Sequence, residues 1–157
     1  MMSALGVKQS GQCECGENKF DIVGEPIFRA ICHCEICQEF NDAPFADITL
    51  YRTKDVDLPE DNTVEYKAYT NPPMAQRGKC KSCEKPTIEF LKIPAVPALT
   101  IVPTKNLSNA DSLPEPSFHV FYHRRKQDSN DDFPKYSGYM KSQLAFVARL
   151  IRALIRS

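Results

Sequence analysis

Seven cysteines stand in three short-spaced clusters: Cys13-Glu14-Cys15, Cys32-His33-Cys34-Glu35-Ile36-Cys37 and Cys80-Lys81-Ser82-Cys83. Thiolates at such spacing bind zinc, four at a time in structural sites and three at a time where one position is left open for chemistry. Seven divides into four plus three. On a strand, residues i and i+2 share a face. Cys13 and Cys15 therefore present two thiolates together with Glu14 pointing away, and Cys32 and Cys34 do the same with His33 turned outward. A Cys-x-x-Cys step instead curls around the metal in a tight turn, as at Cys80/Cys83 and Cys34/Cys37. One dyad holds zinc poorly, so Cys13/Cys15 needs partners, and the unclaimed dyad is Cys80/Cys83. Joined, they make a four-thiolate site that contributes folding energy directly.

Cys32, Cys34 and Cys37 then form a three-thiolate site, for which three readings stay open. A fourth protein ligand, His119 or His123 for instance, closes it. A disulfide between two of the three makes Cys34/Cys37 a redox pair, although thioredoxin-type motifs sit in a βαβ context that this sequence lacks. An open fourth position admits water or a substrate thiolate. A partition in which the middle cluster shares ligands with either end is also compatible with the spacing. Zinc with three thiolates carries net negative charge, polarises carbonyls less than a three-histidine zinc, and suits soft ligands. A thiol bound there loses its proton and remains a nucleophile. The chemistry pointed to is that of thiols rather than hydrolysis.

The elements that must position these groups read as mainly β. Ile27 to Cys34 is a strand running into a metal turn. Pro44 to Tyr51, Thr63 to Tyr69, Thr87 to Ile93 and Ala98 to Val102 have strand patterning, the last two separated by Pro94 and Pro97. Phe118 to His123 is the most aromatic candidate strand, and Asp128 to Pro134 is a polar loop. Twelve prolines against six glycines suit short strands and many turns. A single domain over residues 1–140 is expected, followed by a helix over 141–157. In that helix Leu144, Val147, Leu150, Ile151, Leu154 and Ile155 fall at helical spacing, with Arg149, Arg152 and Arg156 on the other side. A basic amphipathic helix can lie on a membrane or bind a partner. The expectation here is that its apolar face packs on the domain or on a second copy in a homodimer.

At 157 residues, 42% hydrophobic and 25% charged, the chain is long enough to bury a core without covalent help. Its net charge of zero gives no global pull toward nucleic acid or membrane. The basic residues around Arg124 and Arg149 lack the aromatic interleaving of a nucleic-acid surface, so no nucleic-acid partner is expected. Met1 to Ser10 has no apolar core of signal-peptide length, and no segment approaches the roughly 18 apolar residues of a membrane span. A cytoplasmic protein with no integral membrane segment follows as the expectation, its cysteines engaged in metal or catalysis rather than disulfides.

The order Gly11-Gln12-Cys13-Glu14-Cys15-Gly16, then Cys32-His33-Cys34-Glu35-Ile36-Cys37, then Arg77-Gly78-Lys79-Cys80-Lys81-Ser82-Cys83 resembles the glutathione-dependent formaldehyde-activating enzyme family, which includes the domain of centromere protein V. The similarity continues through Pro44-Phe45-Ala46, Tyr66-Lys67-Ala68-Tyr69, His119-Val120-Phe121 and Asp131-Asp132-Phe133-Pro134, from about Gly11 to Tyr136. The resemblance implies a metal-stapled fold of the β-tent kind with two zinc ions: a structural one on Cys13, Cys15, Cys80 and Cys83, and a labile one at the active site on Cys32, Cys34 and Cys37. It implies the joining of glutathione to formaldehyde to give S-hydroxymethylglutathione, formally a carbon–sulfur lyase reaction run in reverse. The alternative is a non-catalytic zinc-stapled module that binds a protein. Phe45 and Arg77 match family positions flanking the clusters and are expected near the substrate pocket, Arg77 to meet a carboxylate or to make a surface ion pair. His119 is placed beside them, as a hydrogen-bonded core histidine rather than a ligand. His123 lies in the basic run Tyr122–Lys126, expected to be a solvated face. Four departures stand out. Glu84 and Asp42 occupy positions where the family has glycine, Lys79 replaces an aromatic residue, and Arg124 to Asp128 replaces a Ser-Arg-x-Pro-Trp stretch in a chain without tryptophan.

Overall fold

The computed structural model describes residues 8–59, 61–69 and 75–156; most of the N-terminal stretch discussed above lies outside them. The chain is mainly β, with short, mostly antiparallel strands and two helices. Its elements run β1 (Gln9–Gln12), β2 (Lys19–Ile22), β3 (Phe28–Cys32), α1 (Glu35–Asn41), β4 (Ala46–Arg52) and β5 (Val56–Asp57). Then follow β6 (Val64–Ala68), β7 (Ala75–Cys80), β8 (Pro86–Leu91), β9 (Leu99–Pro103), β10 (His119–Val120) and α2 (Tyr139–Arg156). They gather into two compact units, one of Met1–Pro26 with Leu50–Leu113, the other of Ile27–Thr49 with Pro114–Ser157.

In the first unit β1, β2 and β5 form a small antiparallel sheet, and β9, β8, β7 and β6 stand in that order as an antiparallel meander. β6 shows why Thr63 to Tyr69 reads as a strand: Val64 is buried and the charged Glu65 and Lys67 face solvent. β9 is buried along its whole length, matching a run that is apolar but for Thr100. β7 escapes pattern reading because Gln76, Gly78 and Lys79 interrupt any alternation. Gly78 is needed there, since a Cβ would come within 2.6 Å of Val64 Cγ1 and 3.0 Å of the Ile88 carbonyl oxygen. The register of β7 shifts against β8 between Gly78 and Lys79, just before Cys80. Phe20, Ile22, Tyr51, Val56, Ile88, Val102 and Leu107 make the core beneath these strands.

In the second unit β10 lies parallel to β3, with Val120 opposite Cys32. Arg29 on β3 grips Asp47 on β4 with a two-toothed fork, Nε to Oδ1 at 2.9 Å and Nη2 to Oδ2 at 2.6 Å. The aromatic run expected as one strand stops after Val120. Phe121 turns into the left-handed region (φ 55°) and Tyr122–Arg124 coil into a 3₁₀ turn. The Phe121 amide donates to Ser142 Oγ at 2.7 Å instead of to a neighbouring strand. α2 begins at Tyr139, two residues before the expected start, and seats Leu150, Ser142 and Phe146, the last edge-on to Phe28 at 5.2 Å. Among the described residues no helix is long and apolar enough to cross a membrane.

Candidate metal centres

Cys13 and Cys15 do not sit on a strand as expected. β1 ends at Gln12 and the chain turns, with the Gly16 amide donating to the Cys13 carbonyl at 3.0 Å. The Asn18 amide donates to Cys13 Sγ at 3.4 Å, and the Asn18 side chain ties this turn to the Thr63 carbonyl at 3.1 Å. A second turn of the same kind leaves β7: the Ser82 and Cys83 amides donate to Cys80 Sγ at 3.4 and 3.5 Å. Amide-to-sulphur bonds stabilise thiolate. Burial opposes ionisation of Cys13, yet its amide bond from Asn18 and its contacts with Cys15 and Cys80 bring its pKa down to about 7.

Cys13 and Cys15 sulphurs are 3.5 Å apart, Cys15 and Cys80 sulphurs 3.7 Å, and the four sulphurs of this cluster all lie within 4.8 Å of one another. A tetrahedral zinc with bonds of about 2.3 Å has sulphur–sulphur edges of about 3.8 Å, so these side chains fit the ion. Glu84, where the resemblance calls for glycine, has φ 60°. Its amide closes the turn on the Cys80 carbonyl at 2.9 Å. Left-handed backbone costs a residue with a Cβ about 1–2 kcal/mol, partly offset by the larger unfolded-state entropy of glycine. Glu84→Gly is therefore expected to stabilise the chain by about 0.5–1 kcal/mol, read as a raised denaturation midpoint at unchanged zinc content.

The middle cluster is assembled at a strand-to-helix junction. Cys32 ends β3, Cys34 caps α1, and Cys37 lies in its first turn; the Cys34 Sγ accepts the Cys37 amide at 3.3 Å. The helix was not legible in the sequence because seven residues are too few for a periodic pattern. Asp42 closes it in the left-handed region (φ 47°), its amide bonded to the Gln38 and Glu39 carbonyls. Cys32 and Cys34 sulphurs lie 3.3 Å apart, and Cys37 and Cys32 sulphurs 3.1 Å. Contact with Cys34, with burial added, pushes the Cys32 thiol well above its ordinary pKa, and contact with Cys32 and Cys34 does the same at Cys37. Three sulphurs this close resist carrying charge together unless a cation sits among them. Cys32 and Cys37 are buried and Cys34 is half-buried, so the cluster faces solvent on the Cys34 side. Its sulphurs also fit zinc, on somewhat contracted edges, and the group among the described residues has three members rather than four.

His33 does not turn out to solvent as the alternation suggested; it is buried. Its Nε2 lies 2.9 Å from His119 Nδ1, and His119 Nε2 lies 2.9 Å from a carboxylate oxygen of Asp131. Burial works against the Asp131 carboxylate, but hydrogen bonds from Lys135 and His119 hold its pKa near 2. An ionised Asp131 accepts a proton-bearing Nε2 from His119. His119 Nδ1 then accepts from His33 Nε2, and the hydrogen-bond network assigns His33 a bare Nδ1. That Nδ1 is buried and has no hydrogen-bond partner among the described residues. Burial first, then the nearby His119 and Arg125, lower the His33 pKa to about 4, so the ring is neutral near pH 7.

Both nitrogens of His119 are thus occupied, and it does not close the cysteine site. His123 accepts the Gly138 amide on Nδ1 at 2.7 Å. Phe45 stands with its ring centroid 5.8 Å from that of His33. Gln38, unmarked by sequence reasoning, donates to the carbonyls of His33 at 2.7 Å and Arg124 at 2.9 Å, locking the cysteine turn to the 3₁₀ turn. Arg77 belongs to the first unit, where its guanidinium meets Glu89 at 2.9 Å and lies over the Tyr69 ring, both members of the pair mostly buried. Its charge is committed to a cross-strand partner.

Residues 8–124, which hold both cysteine clusters, match the family model described as glutathione-dependent formaldehyde-activating enzyme. The crystal structure of a Rhodobacter sphaeroides protein is similar with a TM-score of 0.50 at 17% sequence identity, over 63% of this chain and 87% of that one. At that identity the likeness is one of fold alone. A comparison with curated proteins gave no match.

Proposed function

We propose, from the premise that the chain belongs to the glutathione-dependent formaldehyde-activating enzyme family, that it is a zinc-dependent carbon–sulfur lyase-type enzyme. Its substrate is the adduct of a small thiol, glutathione or a relative, with formaldehyde or a related aldehyde, and its setting is a reducing cytoplasm. The observation that carries the proposal is the three-membered sulphur cluster of Cys32, Cys34 and Cys37, half-open at Cys34, with the nearest buried imidazoles bonded to each other and to Asp131 rather than to the cluster. Zinc bound there supplies a soft, electron-rich position that favours a thiol in its nucleophilic, deprotonated form.

The remaining work falls to the chain. Cys32 and Cys37 make a buried floor that water reaches poorly, and α1, capped by Cys34, holds all three sulphurs in one arrangement. Gln38 and the His33–His119–Asp131 chain fix the backbone on which Cys32 and Cys34 stand. A neutral His33 adds no positive charge beside the cluster. In the synthetic direction the thiol sulphur attacks the aldehyde carbon, one carbon–sulfur bond forms, and the thiol proton ends on the former carbonyl oxygen. No oxidant or reductant is consumed.

The test is exchange spectroscopy on glutathione, formaldehyde and S-hydroxymethylglutathione at equilibrium. Zinc-loaded protein is expected to accelerate interconversion by at least about a hundredfold over buffer, a range typical of a positioned catalytic group. Glutathione binding with interconversion left at the buffer rate would instead assign the chain the role of a zinc-stapled binding module.

A further inference from the structure

α2 has more apolar surface than its own unit covers. Leu150 is fully buried, but Met140 is 67% exposed, Leu144 63%, Ile151 46% and Ile155 77%, with Tyr139 at 64% beside the first turn. On a helical wheel of about 100° per residue, Met140, Leu144, Ile151 and Ile155 fall within about 60° of one another. Phe146 and Leu150, which face the unit's interior, lie on the far side of the helix. Lys141, Arg149, Arg152 and Arg156 form a row that flanks the exposed apolar stripe. The outward half of the helix is therefore one apolar strip beside one cationic strip, along a rod of about 27 Å. From Phe133 to the end of the sequence there is no aspartate or glutamate.

That charge pattern decides between occupants. A second copy of α2 packed antiparallel would set cations against cations along the seam, and in either direction it offers the cations no carboxylate side chain. A bilayer surface with anionic headgroups answers both strips at once: acyl chains take Met140, Leu144, Ile151 and Ile155, and phosphates take the arginines. We propose that α2 is an in-plane membrane-docking helix that seats this protein on anionic lipid. The helix does not span the bilayer, in keeping with its charge and its buried inner face. Such docking would hold the protein at a membrane face, independently of which thiol adduct the cysteine cluster handles.

The full-length, zinc-loaded chain is sedimented with vesicles of phosphatidylcholine containing phosphatidylglycerol, and separately with phosphatidylcholine alone. Binding is expected to the first and not the second, and to weaken as salt is raised. Arg152→Ala should weaken it about fivefold, the effect of one basic side chain near such a surface. Leu144→Asp with Ile151→Asp should abolish it at unchanged circular dichroism and thermal midpoint, because both side chains face outward. Arg152→Glu, at an exposed position and leaving every apolar side chain in place, serves as the control should the double variant lose stability. Equal binding to neutral vesicles, no binding to either, or undiminished binding by Arg152→Glu would overturn the proposal. So would a wild-type dimer in lipid-free solution that the Leu144/Ile151 variant dissociates, since a second copy would then cover the stripe.

Discussion

Cys80→Ser is expected to leave the chain unfolded at room temperature, with zinc content falling by at least one ion per chain. Cys80 ends β7 and is fully buried, its sulphur 3.7 Å from that of Cys15 and accepting two backbone amides. It is the point where a turn from the start of the chain and a turn from its middle would share one metal. Structural zinc sites contribute an apparent 10–16 kcal/mol in small zinc domains, about as much as the whole net stability of about 5–15 kcal/mol of a typical domain. A serine oxygen ionises too reluctantly to replace a thiolate at zinc, and the two amides that pointed at sulphur lose that acceptor. The checks are metal analysis and amide dispersion in the proton–nitrogen NMR spectrum. A folded Cys80→Ser chain with an unshifted thermal midpoint would mean that these four cysteines are structural thiols and nothing more.

Cys34→Ser is expected to do the opposite: keep the fold and lose the chemistry. Cys34 is the cap of α1, its Sγ accepting the Cys37 amide, and serine is among the best residues for that position. The variant therefore retains the helix, and its stability should stay within about 1 kcal/mol of wild type. Two sulphurs then remain where three stood. We expect the second zinc to be lost, glutathione binding to disappear, and the exchange rate to fall to within about tenfold of buffer, the remainder of a positioned catalytic effect. Zinc analysis, calorimetry with glutathione and the exchange assay read these separately. A Cys34→Ser protein that still turns over at the wild-type rate would remove the middle cluster from the reaction.

The metal chemistry was more legible in the sequence than the geometry around it. Cysteine spacing carries ligand pairing because a metal demands several soft donors at once, so Cys13/Cys15 with Cys80/Cys83 can be paired before any coordinates exist. The same spacing was misread locally. The Cys13 and Cys15 pair sits in a turn, and the structure shows it through the amides of Gly16 and Asn18, which no residue pattern announces. His33 alternates with its cysteine neighbours, yet it turns into the unit, where His119, itself held by Asp131, takes its Nε2; both partners stand far along the chain. Hydrogen bonds between residues 33, 119 and 131 leave no periodic trace. Asp42 and Glu84 stood out as departures from glycine; both prove to be left-handed residues at which the missing glycines would have relaxed the backbone. The terminal helix was anticipated from its spacing, but the apolar positions read as packing residues include Leu144, Ile151 and Ile155, which face solvent. Spacing identifies an apolar face without saying what covers it.

The central claim is that Cys32, Cys34 and Cys37 hold a metal with one position left for a substrate thiol. The visible spectrum of cobalt-loaded protein, titrated with glutathione, tests it most directly. Prediction: the cobalt bands of one site move toward a four-sulphur pattern, sulphur-to-cobalt charge transfer grows, the change saturates at one glutathione per chain, and Cys34→Ser shows none of it. A spectrum that already reports two four-sulphur sites before glutathione is added, or that stays unchanged at saturating glutathione, would contradict the claim.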